Sequence, residues 1–237
     1  LTEVEDIIVE CSDPGVARIK LAWWEEELGR AASAEARHPV GQALSRLILN
    51  DSVDEKKLRA FIETTGRQLS HFRFNSYDEI LDFFATGSGL IWESIARCCG
   101  SNEQDSIAAA NRTGCLLRYF DNLQASRSLL NNQQFLAPHG ELARFNLEPA
   151  DLLQPQQENV SAFFAGQIER LIADLEQSSH MITATDRRDM LLFIILARIT
   201  VKTCEEIRRT GCQLTRQKVL LTPLRKFWIA WLTRITH

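Results

Sequence analysis

The stretch DPGVARIKLAWWEEEL, residues 13–28, decides how this chain is read. Asp13 offers a side-chain oxygen to the free N–H groups of a helix start. Pro14 stands at the first helical position, where a missing N–H costs nothing. Val16, Ile19, Leu21, Trp23, Trp24 and Leu28 then form an apolar stripe among Arg18, Lys20 and Glu25 to Glu27. The pattern predicts an amphipathic helix with a marked beginning.

The same pattern repeats outward from it. His38-Pro39 opens a run with Val40, Ala43, Leu44, Leu47 and Ile48, and residues 51–54 open another with Leu58, Phe61, Ile62 and Leu69. A fourth run from Ser76 carries Ile80, Leu81, Phe83, Phe84, Leu90, Ile91 and Ile95 and ends near Gly100. Ser101 to about Asn132 reads as one long helix interrupted only by Gly114. Residues 136–157 hold three of the six prolines and predict a loop with short helical turns. Three more helices are expected at about 158–178, 185–210 and 218–235. Strand-like alternation is weak throughout, so the fold class is all-α, a helical bundle, taken as one domain over 1–237.

Composition agrees. Gly and Pro together supply only 17 of 237 residues, too few tight turns for a many-stranded sandwich or barrel. Hydrophobic residues at 45% and charged residues at 24% exclude wholesale disorder. A net charge of −4 excludes a general polyanion binder. The charge is uneven, however: residues 1–30 carry eight acids and three bases, residues 201–237 eight bases and two acids.

The six cysteines form no C-x-x-C pair, which excludes a zinc ribbon or small disulfide scaffold and predicts a reducing, cytoplasmic-type compartment. No apolar run is long enough for a transmembrane helix. His38, His71, His139, His180 and His237 lie too far from one another and from cysteine for metal-ligand spacing. Gly87-Ser88-Gly89 lies in a helical run, so it is no phosphate loop. With Ala85 and Thr86 it makes a slim face open to a second helix or to a flat apolar ligand.

Two segments stand out chemically. In Glu3-Val-Glu-Asp-Ile-Ile-Val-Glu10, Asp6 and Glu10 share one helix face. Such a pair is either a solvated acidic face or half of a Mg²⁺–diphosphate site. At the other end, Phe227, Trp228, Trp231 and Leu232 can share a face among Arg225, Lys226 and Arg234. That segment docks as a last core helix, binds a partner, or makes peripheral contact with an anionic membrane through 223–237. Its bases form no extended stripe with aromatics between them, so nucleic acid is not an expected partner.

In order and spacing these pieces resemble the squalene/phytoene synthase family, the head-to-head branch of the trans-isoprenyl diphosphate synthases. The residues that carry the resemblance are Glu5-Asp6-Ile7-Ile8-Val9-Glu10, then Ser12-Asp13-Pro14, Lys20-Leu21-Ala22-Trp23-Trp24 and Glu27-Leu28. His38-Pro39-Val40, Gly114 and Pro138-His-Gly-Glu-Leu-Ala-Arg-Phe145 follow. The likeness covers the whole chain apart from an N-terminal helix expected to be missing. It implies an isoprenoid-synthase bundle around a central apolar cavity, here expected to be lined by Phe83, Phe84, Gly87, Gly114, Asn122 and Gln124. It also implies two D-x-x-x-D motifs whose Mg²⁺ ions hold the diphosphates of two prenyl substrates.

Against that pattern the carboxylates are depleted. In the family's D-D-x-x-D-E the first aspartate is replaced by Glu5 and the last by Val9, leaving Asp6 and Glu10. Between Asp121 and Glu141 there is no acid at all. The candidate metal ligands are therefore Glu5, Asp6, Glu10 and Asp121. The expectation is a chain that keeps the fold, has lost or weakened condensation, and serves as an isoprenoid-binding or assembly protein with a protein partner. Mitochondrial complex I assembly factors of this fold are the nearest analogy. The competing expectation is an active Mg²⁺-dependent prenyltransferase condensing farnesyl or geranylgeranyl diphosphate.

Overall fold

Local capping starts the helices where the sequence places them. In the computed structural model, which describes residues 2–70, 73–154 and 156–236, the Asp13 carboxylate accepts from the N–H groups of Gly15 at 2.6 Å and Val16 at 3.2 Å. Asp54 does the same for Lys56 at 2.8 Å, and Ser76 for Glu79 at 3.2 Å. Gly100 and Gly211 close their helices in the left-handed region, at φ of 106° and 82°. His71 and His237, two of the scattered histidines, lie outside the described residues.

The order is α1 (Thr2–Glu10), α2 (Pro14–Ala32), α3 (Pro39–Leu49), α4 (Glu55–Gln68), α5 (Tyr77–Ala85) and α6 (Ser88–Cys98). Then follow α7 (Gln104–Gln124), α8 (Ser126–Asn131), α9 (His139–Arg144), a 3₁₀ turn (Pro149–Leu153), α10 (Glu158–Met181), α11 (Leu191–Arg209) and α12 (Pro223–Thr236). Among the described residues the only β-type pairing is an isolated bridge between Phe74 and Pro138.

Two expected helices are broken. The run from Ser76 divides at Thr86–Gly87, because Thr86 turns its hydroxyl back onto the Phe83 carbonyl at 2.8 Å. The long helix does not falter at Gly114 but at Ala125, which separates α7 from α8. α11 starts at Leu191 rather than 185, and α12 starts at Pro223, where proline suits the first turn.

Packing joins the helices into a continuous body. One core gathers Tyr77, Phe84, Leu116, Tyr119, Phe163, Phe164 and Ile168 between α5, α7 and α10, and extends to α11. A second gathers Val4, Ile7, Ile8, Leu21, Leu28, Phe61 and Ile62 between α1, α2 and α4. Phe135 packs against both. The apolar stripe of α2 therefore splits: Ala17, Leu21 and Leu28 are buried, while Val16, Ile19 and Trp23 remain exposed.

All six cysteines are free thiols. Cys115, Cys204 and Cys212 are buried, whereas Cys98 and Cys99 are exposed at the end of α6. Among the described residues no helix is long and apolar enough to cross a membrane.

Candidate functional site

α1 lies against the second core through Val4, Ile7 and Ile8, which turns Glu5 inward and leaves Asp6 and Glu10 at the surface. Glu5 is held from two sides. Ser88 Oγ at the start of α6 donates to Glu5 Oε1 at 3.1 Å. Arg118 Nε, from α7, stands 3.6 Å from the same oxygen.

Arg118 is the buried cation of the site, with 7% of its side chain exposed. Its Nη2 donates to Gln68 Oε1 at 3.2 Å, and its guanidinium carbon lies 5.8 Å from the centre of the Phe84 ring. Gln68 Nε2 in turn donates to the Gln134 carbonyl at 3.4 Å. A positive charge is thus built into the protein beside the first acidic segment.

Asp121 sits one turn beyond Arg118 on α7, in contact with solvent. The protein crowded about its carboxyl, together with Glu5 and Asp6, outweighs the pull of Arg118 and Lys218 and pushes it up to about 6. Glu5 and Asp6 both act on the Asp121 carboxyl electrostatically. Glu10 instead joins Asp6 along an open groove of about 610 Å³ that includes Trp23, Trp24 and His38. Among the described residues no three Asp, Glu, His or Cys side chains come together closely enough to hold a metal ion.

The expected cavity residues are engaged with protein. A Cβ at Gly114 would fall 2.2 Å from the Trp92 ring, and one at Gly87 would fall 2.7 Å from Thr64. Both glycines admit a neighbouring side chain at contact distance. Phe83 lies 5.3 Å from Phe74 and 5.8 Å from Phe84 between ring centres. Asn122 Nδ2 donates to the Leu136 carbonyl at 2.9 Å while its Oδ1 accepts from the Leu136 N–H at 3.1 Å, a two-point clasp on the chain after α8. Gln124 Nε2 donates to the Val219 carbonyl at 2.8 Å.

Where α1 meets α8 the contacts are neutral. Ser128 Oγ donates to the Val9 carbonyl at 3.0 Å, so the two segments that would face each other across a metal touch through a hydroxyl and a backbone oxygen. Beside them opens a cavity of about 430 Å³ bordered by Gln124, Ser128 and Thr215, with Arg127, Arg216 and Lys218 around it. Gln124 Oε1, Ser126 Oγ, Thr215 Oγ1 and the Gln134 side-chain amide are buried polar atoms without a hydrogen-bond partner among the described residues. The region is polar, rimmed by cations and poor in acids.

Sequence reasoning missed Arg118, Gln68, Gln134 and Lys218. Arg118 stands three residues before Asp121 on one helix face, and that spacing was the one local signal.

Over residues 1–225 the sequence matches the family described as squalene/phytoene synthase. Among solved structures it is similar to the squalene synthase HpnC from Alicyclobacillus acidocaldarius. The two share 18% identity and a TM-score of 0.66, over 83% of this chain and 75% of that one. No curated protein matches the sequence. At that identity the structural likeness is one of fold, an all-α bundle.

Proposed function

The chain belongs to the squalene/phytoene synthase family, and from that premise we propose that it binds an isoprenoid lipid or prenyl diphosphate without condensing two of them. The observation that carries this reading is Arg118 set against Glu5. A guanidinium satisfies that carboxylate permanently, where condensation needs a divalent ion that also grips the leaving diphosphate.

The donor set does not suit Mg²⁺. The ion favours six oxygen ligands from a few carboxylates, phosphates and waters. Here Glu5 is already paired, Asp121 stands alone on α7, and the facing segment offers Gln124, Ser126 and Ser128. Neutral amides and hydroxyls do not balance divalent charge. They do suit a phosphate-bearing ligand whose charge is met by Arg127, Arg216 and Lys218 instead. A chain of this kind acts as a lipid-binding or assembly protein with a protein partner, and its free buried thiols suit a reducing, cytoplasmic-type setting.

One observation favours a second reading. Crowding by protein first, and Glu5 and Asp6 after it, raise the Asp121 carboxyl, and acids that act on one another in this way can share a cation. Incubation with farnesyl diphosphate and Mg²⁺ separates the two. The first reading expects no diphosphate release, and farnesyl diphosphate binding that EDTA leaves unchanged. Release that depends on Mg²⁺ and disappears in Asp6→Ala establishes a synthase instead.

A further inference from the structure

α12 is an amphipathic helix mounted with its apolar side outward. Leu224, Phe227, Trp228, Trp231, Leu232 and Ile235 recur at helical spacing on one face, and each is between 43% and 77% exposed. The opposite face meets the body through polar contacts. Thr233, 1% exposed, accepts from Arg198 Nη1 at 3.2 Å, and Thr236 Oγ1 accepts from the same nitrogen at 3.3 Å. Arg225 Nη1 ties the first turn to Glu206 on α11 at 3.1 Å.

Its charge is of one sign. α12 carries Arg225, Lys226 and Arg234 and no acid, and Arg225 and Arg234 flank the apolar face on either side. Trp228 and Trp231 stack with ring centres 4.9 Å apart, forming a broad aromatic plate in the middle of that face. Behind α12 a groove of about 470 Å³ runs between α10 and α11, lined by Leu175, Ile194, Val201 and Ile229. Leu232 belongs both to the groove and to the outward face, so the apolar surface continues into the bundle.

We propose that α12 lies flat in the surface of an anionic lipid bilayer, with its tryptophan plate among the upper acyl chains and its arginines at the headgroups. Apolar residues on one side, tryptophans at the boundary and flanking cations that reach to phosphates are the features that hold a helix in that plane. A protein partner of the usual kind would meet mixed charge. Arg225 is shared with Glu206, and the remaining positive charge of Lys226 and Arg234 is complementary to a lipid phosphate layer. The family match ends at residue 225, within the first turn of α12. This surface is independent of the state of the acidic cluster.

The test is flotation of the full chain with phosphatidylcholine vesicles, with and without phosphatidylglycerol, alongside tryptophan emission. The expected result is flotation with the anionic vesicles, a blue shift, and loss of both on raising salt. Trp228→Glu with Trp231→Glu abolishes flotation, while Arg234→Ala weakens it about fivefold. Trp228, Trp231 and Arg234 are all exposed, so far-UV circular dichroism stays unchanged in both variants. Equal flotation with neutral vesicles, no flotation at all, or flotation that survives the tryptophan pair overturns the proposal. So does a dimer in sedimentation that the tryptophan pair converts to monomer, which would assign the face to a second copy.

Discussion

The Arg118 guanidinium stands 3.6 Å from the Glu5 carboxylate, a buried α7 cation set against an α1 acid. The carboxylate is thereby neutralised from within the protein. Removing the arginine strands it, at a cost of about 3 kcal/mol for a broken, largely buried pair. Arg118→Gln should therefore lower the urea midpoint. It should also free Glu5 beside Asp6 and Asp121, so that Mg²⁺ raises the melting temperature of the variant and leaves the unmutated chain unchanged.

Asp121 supplies a pH signature. Its carboxyl is pushed up to about 6 by its crowded surroundings and by Glu5 and Asp6, against an ordinary 3.8. The unfolded chain then ionises first as pH rises, so this group's contribution is full below 3.8 and is lost as pH climbs to about 6. Asp121→Asn should remove that loss. A carboxyl-carbon NMR titration of Asp121 should show a midpoint well above the other exposed aspartates.

Glu27 behaves in the opposite sense. Its buried Oε1 accepts the Arg37 and His38 N–H groups, each at 2.7 Å, and Oε2 accepts from Arg30 Nε at 2.8 Å. Burial would raise the carboxyl, but these donors outweigh it and hold it below the ordinary 4.5. Its stabilisation is present above that value and is lost as pH falls through the folded one. Glu27→Ala leaves two backbone donors at the start of α3 unpaired and should cost about 3 kcal/mol by chemical denaturation.

Gly114 is a packing position. Because a Cβ there would overlap the Trp92 ring, Gly114→Ala must push α6 away from α7. The expected cost is about 3 kcal/mol, since a well-packed contact resists added volume. The checks are a lower melting temperature and a changed near-ultraviolet tryptophan signal.

Much of the fold was legible because helix periodicity and capping act over a few residues. Asp13-Pro14 begins α2, Gly100 ends α6, and the lack of strand alternation holds throughout the described residues. The depletion of acids after Asp121 was legible too, because composition needs no coordinates. The breaks at Thr86 and Ala125 were not, since both fall inside an otherwise good helical pattern.

The sequence by itself determined that this chain is an all-α bundle of synthase lineage with no acidic residue between Asp121 and Glu141. Only the tertiary structure decided what stands beside the acids that remain, and which way the last helix faces. Arg118 reaches Glu5 and Gln68 because α1 packs on α4 and the long Arg118 side chain extends from α7 to both, and no spacing along the chain encodes that. The apolar face of α12 would have been read as core had Thr233 and Arg198 not fixed the helix with that face turned outward. An amphipathic pattern specifies a face; the packing around it specifies what the face meets.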